Sequence, residues 1–147
     1  MTYHWMMKLS GAKDPEKGAR ALVWGVGIVL LLKIGADMFM FNSIFPEIKG
    51  PVLNTSMPVF LCDLVTTFSA QAIGSFLAAF LARSFPLRHA LLAGIPFVIG
   101  SIFGTFLNWT IVPLWHFPAQ GLVALAGAGV SGFLAAQLST KKGSTRT

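Results

Sequence analysis

Apolar residues run along this chain in four long blocks, at about 21–41, 58–82, 87–111 and 117–138, separated by short polar or basic stretches. Crossing the hydrocarbon core of a bilayer takes about 20 apolar residues, so each block has the length of one span. In lipid an unpaired backbone group costs several kcal/mol, which makes each block a helix. Alternation of period two is absent, so the pattern does not describe a β-barrel. The expected fold is an all-α integral membrane protein, a four-transmembrane-helix bundle over 21–138. A basic segment, 1–20, precedes it and a basic tail, 139–147, follows. Lys33 and Asp37 interrupt the first block and are expected to make it the weakest span by hydropathy.

Composition agrees with that pattern. The chain is 54% hydrophobic and 11% charged, where a soluble domain carries about 25% charged residues to keep its surface wet. Of its eleven basic residues, nine fall on one side of the spans. Lys8, Lys13, Lys17 and Arg20 precede the first span, Arg83 and Arg88 lie between the second and third, and Lys141, Lys142 and Arg146 follow the fourth. Lys49 is the one basic residue in the opposite loops, 42–57 and 112–116. The positive-inside rule then places both termini in the cytoplasm, in a bacterial-type inner membrane, and an even number of spans requires the two termini to share a side. The net charge of +6 thus reads as an address on a membrane, and no nucleic-acid partner is expected.

Aromatic residues fit the frame: Trp24 at the inner end of the first span, Trp109 and Trp115 around the outer turn between the third and fourth. Tyr3, Trp5, Met6 and Met7 describe either a segment lying along the inner interface or a frayed tail, and both readings stay open. The core 21–32 and Ile34-Gly35-Ala36 look like a signal peptide with its cleavage site. The twenty-residue basic leader and the continuing run Met38-Phe39-Met40-Phe41 favour a retained span instead. The single Cys62 excludes a disulfide within the chain.

Small residues mark where helices can approach closely in lipid. The second span offers Ala70, Gly74 and Ala78 beside Gln71, Ser75 and Ala79. The third offers Gly100-x-x-x-Gly104 flanked by Ser101 and Thr105, and the fourth Ala128, Gly132 and Ala136. The short turns make consecutive helices antiparallel neighbours. A unit of this size buries few residues of its own, so the expected partners are the lipid bilayer and either a second copy of the chain or another subunit of a membrane complex.

Ionisable residues inside a span are functional hypotheses, because each costs about 2.5–3.5 kcal/mol to insert. Lys33, Asp37 and Asp63 qualify. Lys33 and Asp37 share a helix face and can pair. Asp37 and Asp63 come out about 6 and 7.5 Å below the outer end of their helices at 1.5 Å per residue. Thr66, Thr67, Thr105, Asn108, His116 and Gln120 fall in the same outer third. The candidate ion- or ligand-binding site is therefore Lys33, Asp37, Asp63, Asn108 and His116, an outward-facing vestibule able to hold a cation or relay a proton. Against it stands a structural role, with Lys33 and Asp37 neutralising each other and Asp63 snorkelling or capping its helix. Deeper down, Gln71 and Ser101 are expected to share an interhelical hydrogen bond.

Other motifs carry little. Gly127 to Gly132 reads G-x-G-x-x-G, but a dinucleotide site needs a preceding strand, and inside an apolar span helix packing explains the glycines better. Asn54-Thr55-Ser56 and Asn108-Trp109-Thr110 match the glycosylation pattern without implying modification. His4, His89 and His116 lie on different segments, which disfavours a shared metal, and no nucleophile–base set is present. No enzymatic activity, metal or cofactor is expected. In length and span number the chain is similar to the small multidrug resistance exporters, but the membrane-embedded Glu of their first helix is replaced by Asp37 paired with Lys33. Thr66-Thr67-Phe68-Ser69 resembles a string of the double-barrelled fluoride channels, whose Gly- and Arg-bearing first helix is missing. The hairpin 99–125 is similar to small bacterial inner-membrane proteins of unassigned role. Two functional expectations remain: a small transport- or channel-type membrane protein, and a non-catalytic accessory or scaffold subunit.

Overall fold

The computed structural model describes residues 14–45, 57–82, 85–108 and 113–144, leaving aside the side chains of Pro15, Phe41, 105–108 and 140–144. The N-terminal aromatic segment, Lys49, Arg83, Trp109, the sequon at Asn54, and the side chains of Thr105 and Asn108 lie outside the described residues. Four helices account for nearly all of what is described, with no strand among these residues. They are α1, Pro15–Phe39, running into a π-helical turn over Met40–Ile44; α2, Met57–Ala82; α3, Pro86–Asn108; and α4, His116–Ser144. All four are long and apolar enough to cross a membrane, and the first, expected to be the weakest, has the highest mean hydropathy, because its unbroken run of aliphatic residues outweighs Lys33 and Asp37.

Local chemistry explains where the helices begin. Asp14 caps α1 by accepting from the Lys17 amide at 3.2 Å, and Pro15 follows at the first helical position, where a missing N–H costs nothing. The helix therefore starts ahead of the apolar run at Ala21. Phe85 precedes α3 with φ of 46°, a left-handed conformation that is costly for a bulky residue and unusual before a proline. Its carbonyl accepts the His89 amide at 3.1 Å and so opens the helix. Within α3, Pro96 removes one backbone donor.

Exposure is inverted relative to a soluble protein. Leu31, Val65, Phe103, Leu122 and Phe133 point outward and are more than half exposed, whereas Thr67, Gln71, Ser75 and His89 are buried. A soluble monomer rarely exposes apolar surface so continuously. Such an exterior suits lipid, and the bundle interior receives the polar groups that lipid would penalise.

Small residues decide how the helices fit. A Cβ on Gly25 would lie 2.5 Å from the Ala78 Cβ and 2.8 Å from the Gly74 carbonyl, so α1 and α2 cross nearly backbone to backbone. The expected stripe through Gly74 and Ala78 is thus an interface, and Gly25 is its partner. Gly127 meets the Phe68 carbonyl and Ala72 amide on α2, while Gly132 meets Leu87 and Ala90 on α3. The G-x-G-x-x-G string is accordingly packing surface inside an unbroken helix. Ser131 adds a hydroxyl that donates to Ala72 O at 2.6 Å and to Gly127 O at 2.7 Å.

These contacts set the directions of the helices. Gly25 meets Ala78 and Lys33 meets Asp63, so α1 and α2 are antiparallel. Leu87 meets Gly132 and Gly104 meets Phe117, so α3 and α4 are antiparallel as well. His116 meets Asp63 and Ser131 meets Ala72, so α2 and α4 run parallel. α2 touches all three other helices, and α1 packs only lightly on α3. Two expectations are corrected here. A Cβ added to Gly100 would meet nothing within 4 Å, because this residue borders an open cleft rather than a helix partner. Gln71 donates to Ser75 one turn along its own helix, at 2.6 Å, instead of bonding Ser101. Ser101 Oγ donates to Val98 O at 2.8 Å.

Candidate functional site

The end of α1 and the starts of α2 and α4 meet at one end of the bundle. Antiparallel packing of α1 on α2 brings Lys33 level with Asp63, and the parallel run of α4 beside α2 brings His116 and Gln120 to the same point. Lys33 Nζ donates to Asp63 Oδ1 at 2.6 Å and also pairs with Asp37 one turn along α1. His116 Nε2 lies 2.9 Å from Asp63 Oδ2, and Gln120 Nε2 donates to that same oxygen. A single carboxylate thus gathers three donors from two neighbouring helices. His116 and Gln120 are four apart and share one face of α4's first turns, where the positive end of the helix dipole adds attraction for an anion.

The cluster is shielded. The side chains of Lys33, Asp63 and His116 are 10%, 13% and 7% exposed, while that of Asp37 is 34% exposed at the rim. Aromatic rings close around the imidazole: Phe60 at 4.7 Å between centroids, with Trp115 and Phe117 each at 5.7 Å. Trp115 also meets Phe60 edge to face at 5.6 Å. On the far side of Gln120 lies an apolar cleft of about 310 Å³ between α1, α3 and α4, bordered by Val26, Leu30, Pro96 and Phe97.

Two carboxylates face one lysine, so one negative charge is unbalanced when His116 is neutral and none when it is protonated. An unbalanced charge in a low-dielectric interior is costly. The arrangement is therefore able to take up one positive charge, as a proton or as a small cation beside Asp37 and Asp63.

Of the five residues singled out from sequence, Lys33, Asp37, Asp63 and His116 form one connected network. The Asn108 side chain lies outside the described residues. Lys33 is not closed off with Asp37, since it bridges to Asp63 on another helix, and Asp63 neither snorkels nor caps α2. Thr66 Oγ1 donates to the Asp63 backbone carbonyl at 2.9 Å rather than to its carboxylate. Gln120 is the ligand left out of that set, and its position one turn after His116 is the signal that marks it. Comparison with protein-family models, curated proteins and solved structures finds no match, so the reading rests on this geometry.

Proposed function

We propose that this chain is a small multi-pass membrane protein of transport or channel type, in which the Asp63 cluster binds a proton or a monovalent cation during passage. The observation that supports the reading is the buried Asp63 carboxylate, held by Lys33, His116 and Gln120 in a cluster with one unbalanced negative charge. Bilayer-buried ionisable groups are expensive and mark ion or proton pathways when they face a bundle interior. Lys33, Asp37 and His116 act with Asp63 as the binding site. The distribution of basic residues supports an inner-membrane location with both termini cytoplasmic, which turns the cluster toward the outer face.

A second reading draws on the same contacts. Lys33 is shared by carboxylates on two helices, and Asp63 also reaches α4, so the cluster ties three helices together as an accessory or scaffold subunit would need. In either role the bilayer is one partner, and a second copy or another membrane subunit covers part of the remaining apolar surface.

Proton and cation flux in liposomes containing the purified protein separates the two. Transport predicts flux in the wild type, its loss in a folded Asp63→Asn protein, and partial retention in Asp63→Glu, which keeps the charge. An absence of flux in the wild type overturns transport and favours the subunit role, in which co-purifying membrane proteins are expected.

A further inference from the structure

Asp63, Thr67, Gln71 and Ser75 stand at strict four-residue spacing on α2, and all four are buried. That spacing keeps them on one stripe, which the packing turns toward the bundle centre. The file extends about 18 Å along the helix axis, at about 1.5 Å per residue. Its hydrogen bonds are incomplete. Gln71 Nε2 reaches Ser75, but Gln71 Oε1 and Thr67 Oγ1 have no partner among the described residues. Leaving a buried polar atom unpaired costs about 1–3 kcal/mol, and Val and Leu would fill the same positions without that penalty.

A buried histidine stands at each end of the file. His116 Nε2 faces the Asp63 carboxylate, which only accepts, so this nitrogen carries the hydrogen. His89 Nδ1 lies 3.2 Å from the Phe85 carbonyl, which likewise only accepts. In both rings the other nitrogen, His116 Nδ1 and His89 Nε2, is buried without a partner among the described residues. Ala79 packs with Ala90, and Ala78 with Ala93. In this antiparallel register His89 stands level with about residues 80–82, roughly 9 Å along the axis beyond Ser75.

We propose that this file is a water-bridged proton path from the Asp63–His116 cluster to His89. The proposal rests on the proton-handling reading above and adds its route. Buried polar atoms without a protein partner are where proteins hold ordered water; water between Thr67 and Gln71 joins the cluster to Ser75, and further water spans the gap from Ser75 to the unpartnered His89 Nε2. A proton taken up at the cluster passes along the waters to His89 Nε2 while the ring releases its Nδ1 proton; return of the remaining proton to Nδ1 and reorientation of the waters then restore the starting state, and nothing else is consumed.

The test uses the full chain in liposomes, with single cysteines in a Cys62→Ser background and a small charged methanethiosulfonate as probe. Thiols react as thiolates, which form only where water reaches. Thr67→Cys and Gln71→Cys are expected to react about tenfold or more faster than Ile73→Cys, which points out of the bundle on the same helix. Equally slow reaction at all three positions overturns the path. Thr67→Cys is close to isosteric and serves if Gln71→Cys does not fold. In the same liposomes Gln71→Leu is expected to cut proton flux about tenfold while the Asp63 cluster stays intact. Undiminished flux in Gln71→Leu overturns the path and leaves transport standing. No flux in the wild type overturns the transport reading, and proton conduction along the file with it.

Discussion

Replacing Gly74 by alanine tests the closest approach in the bundle. The new Cβ would lie 2.6 Å from the Gly25 carbonyl oxygen, 3.0 Å from the Val29 amide nitrogen and 2.3 Å from Val29 Cγ2. Val29 can rotate its methyl away, but the two backbone atoms cannot yield. An ordinary contact needs about 3.5 Å, so α1 and α2 must separate by roughly 0.9 Å along this line. A gap of that size forfeits about a quarter to a half of the dispersion energy of each contact it opens. Overpacked cores lose about 1–3 kcal/mol in this way, and alanine's better helix propensity returns about 0.5–1 kcal/mol. The expected net loss is about 1.3 kcal/mol, or roughly tenfold in the folding equilibrium. Reversible unfolding in mixed micelles measures it, with Gly27→Ala and Gly100→Ala as controls. At both control positions nothing lies within 4 Å of an added Cβ, so these variants should be unchanged or slightly stabilised. A Gly74→Ala protein as stable as those controls would refute the backbone-to-backbone crossing. Lys33 lies two turns beyond Gly25 on the same face, so the separation should also weaken its bridge to Asp63.

Other perturbations follow from the same geometry. Asp37→Asn should cost about 1 kcal/mol or less, since Lys33 keeps Asp63, whereas Asp63→Asn leaves Lys33 with the rim carboxylate alone and should cost about 3 kcal/mol; thermal unfolding in detergent compares them. Equal losses would mean that Lys33 belongs chiefly to Asp37. Ser131→Ala removes the hydroxyl bond to Ala72 O and should cost about 0.6 kcal/mol by the same measurement, a modest value because the donor is shared with its own helix. Phe85→Asn should stabilise by about 0.5–1 kcal/mol, because asparagine tolerates the left-handed conformation and the phenylalanine ring is largely exposed. A lower melting temperature for that variant would show that the ring anchors the turn.

Legibility in the sequence differed by kind of feature. The four helices were readable because lipid leaves a backbone one local solution, and length and apolarity alone announce it. The Gly74–Ala78 face was readable for the same reason, since small residues in lipid serve close approach. Gly25 was not, because Gly25, Gly27 and Gly35 look alike in one dimension and only the first meets another helix. Gly100 and Gly104 fit a packing motif equally well, yet Gly100 faces a cleft.

Lys33, Asp37, Asp63 and His116 were legible as candidates because an ionisable residue in an apolar span stands out against its background. Their bonding was not, since it depends on which helices are parallel and on how far each is displaced along its axis. Sequence by itself determined the four helices and the presence of a polar layer near one end, consequences of transferring single segments into lipid. Tertiary structure decided that Asp63 rather than Asp37 is the hub, that Gln120 is its ligand, and that Thr67, Gln71 and Ser75 face inward with it. The physical reason is that hydrophobic transfer is a sum over residues, readable one at a time, whereas a hydrogen bond forms or fails within a few tenths of an ångström. The register between helices, set by backbone contacts at Gly25, Gly74, Gly127 and Gly132, supplies that last distance.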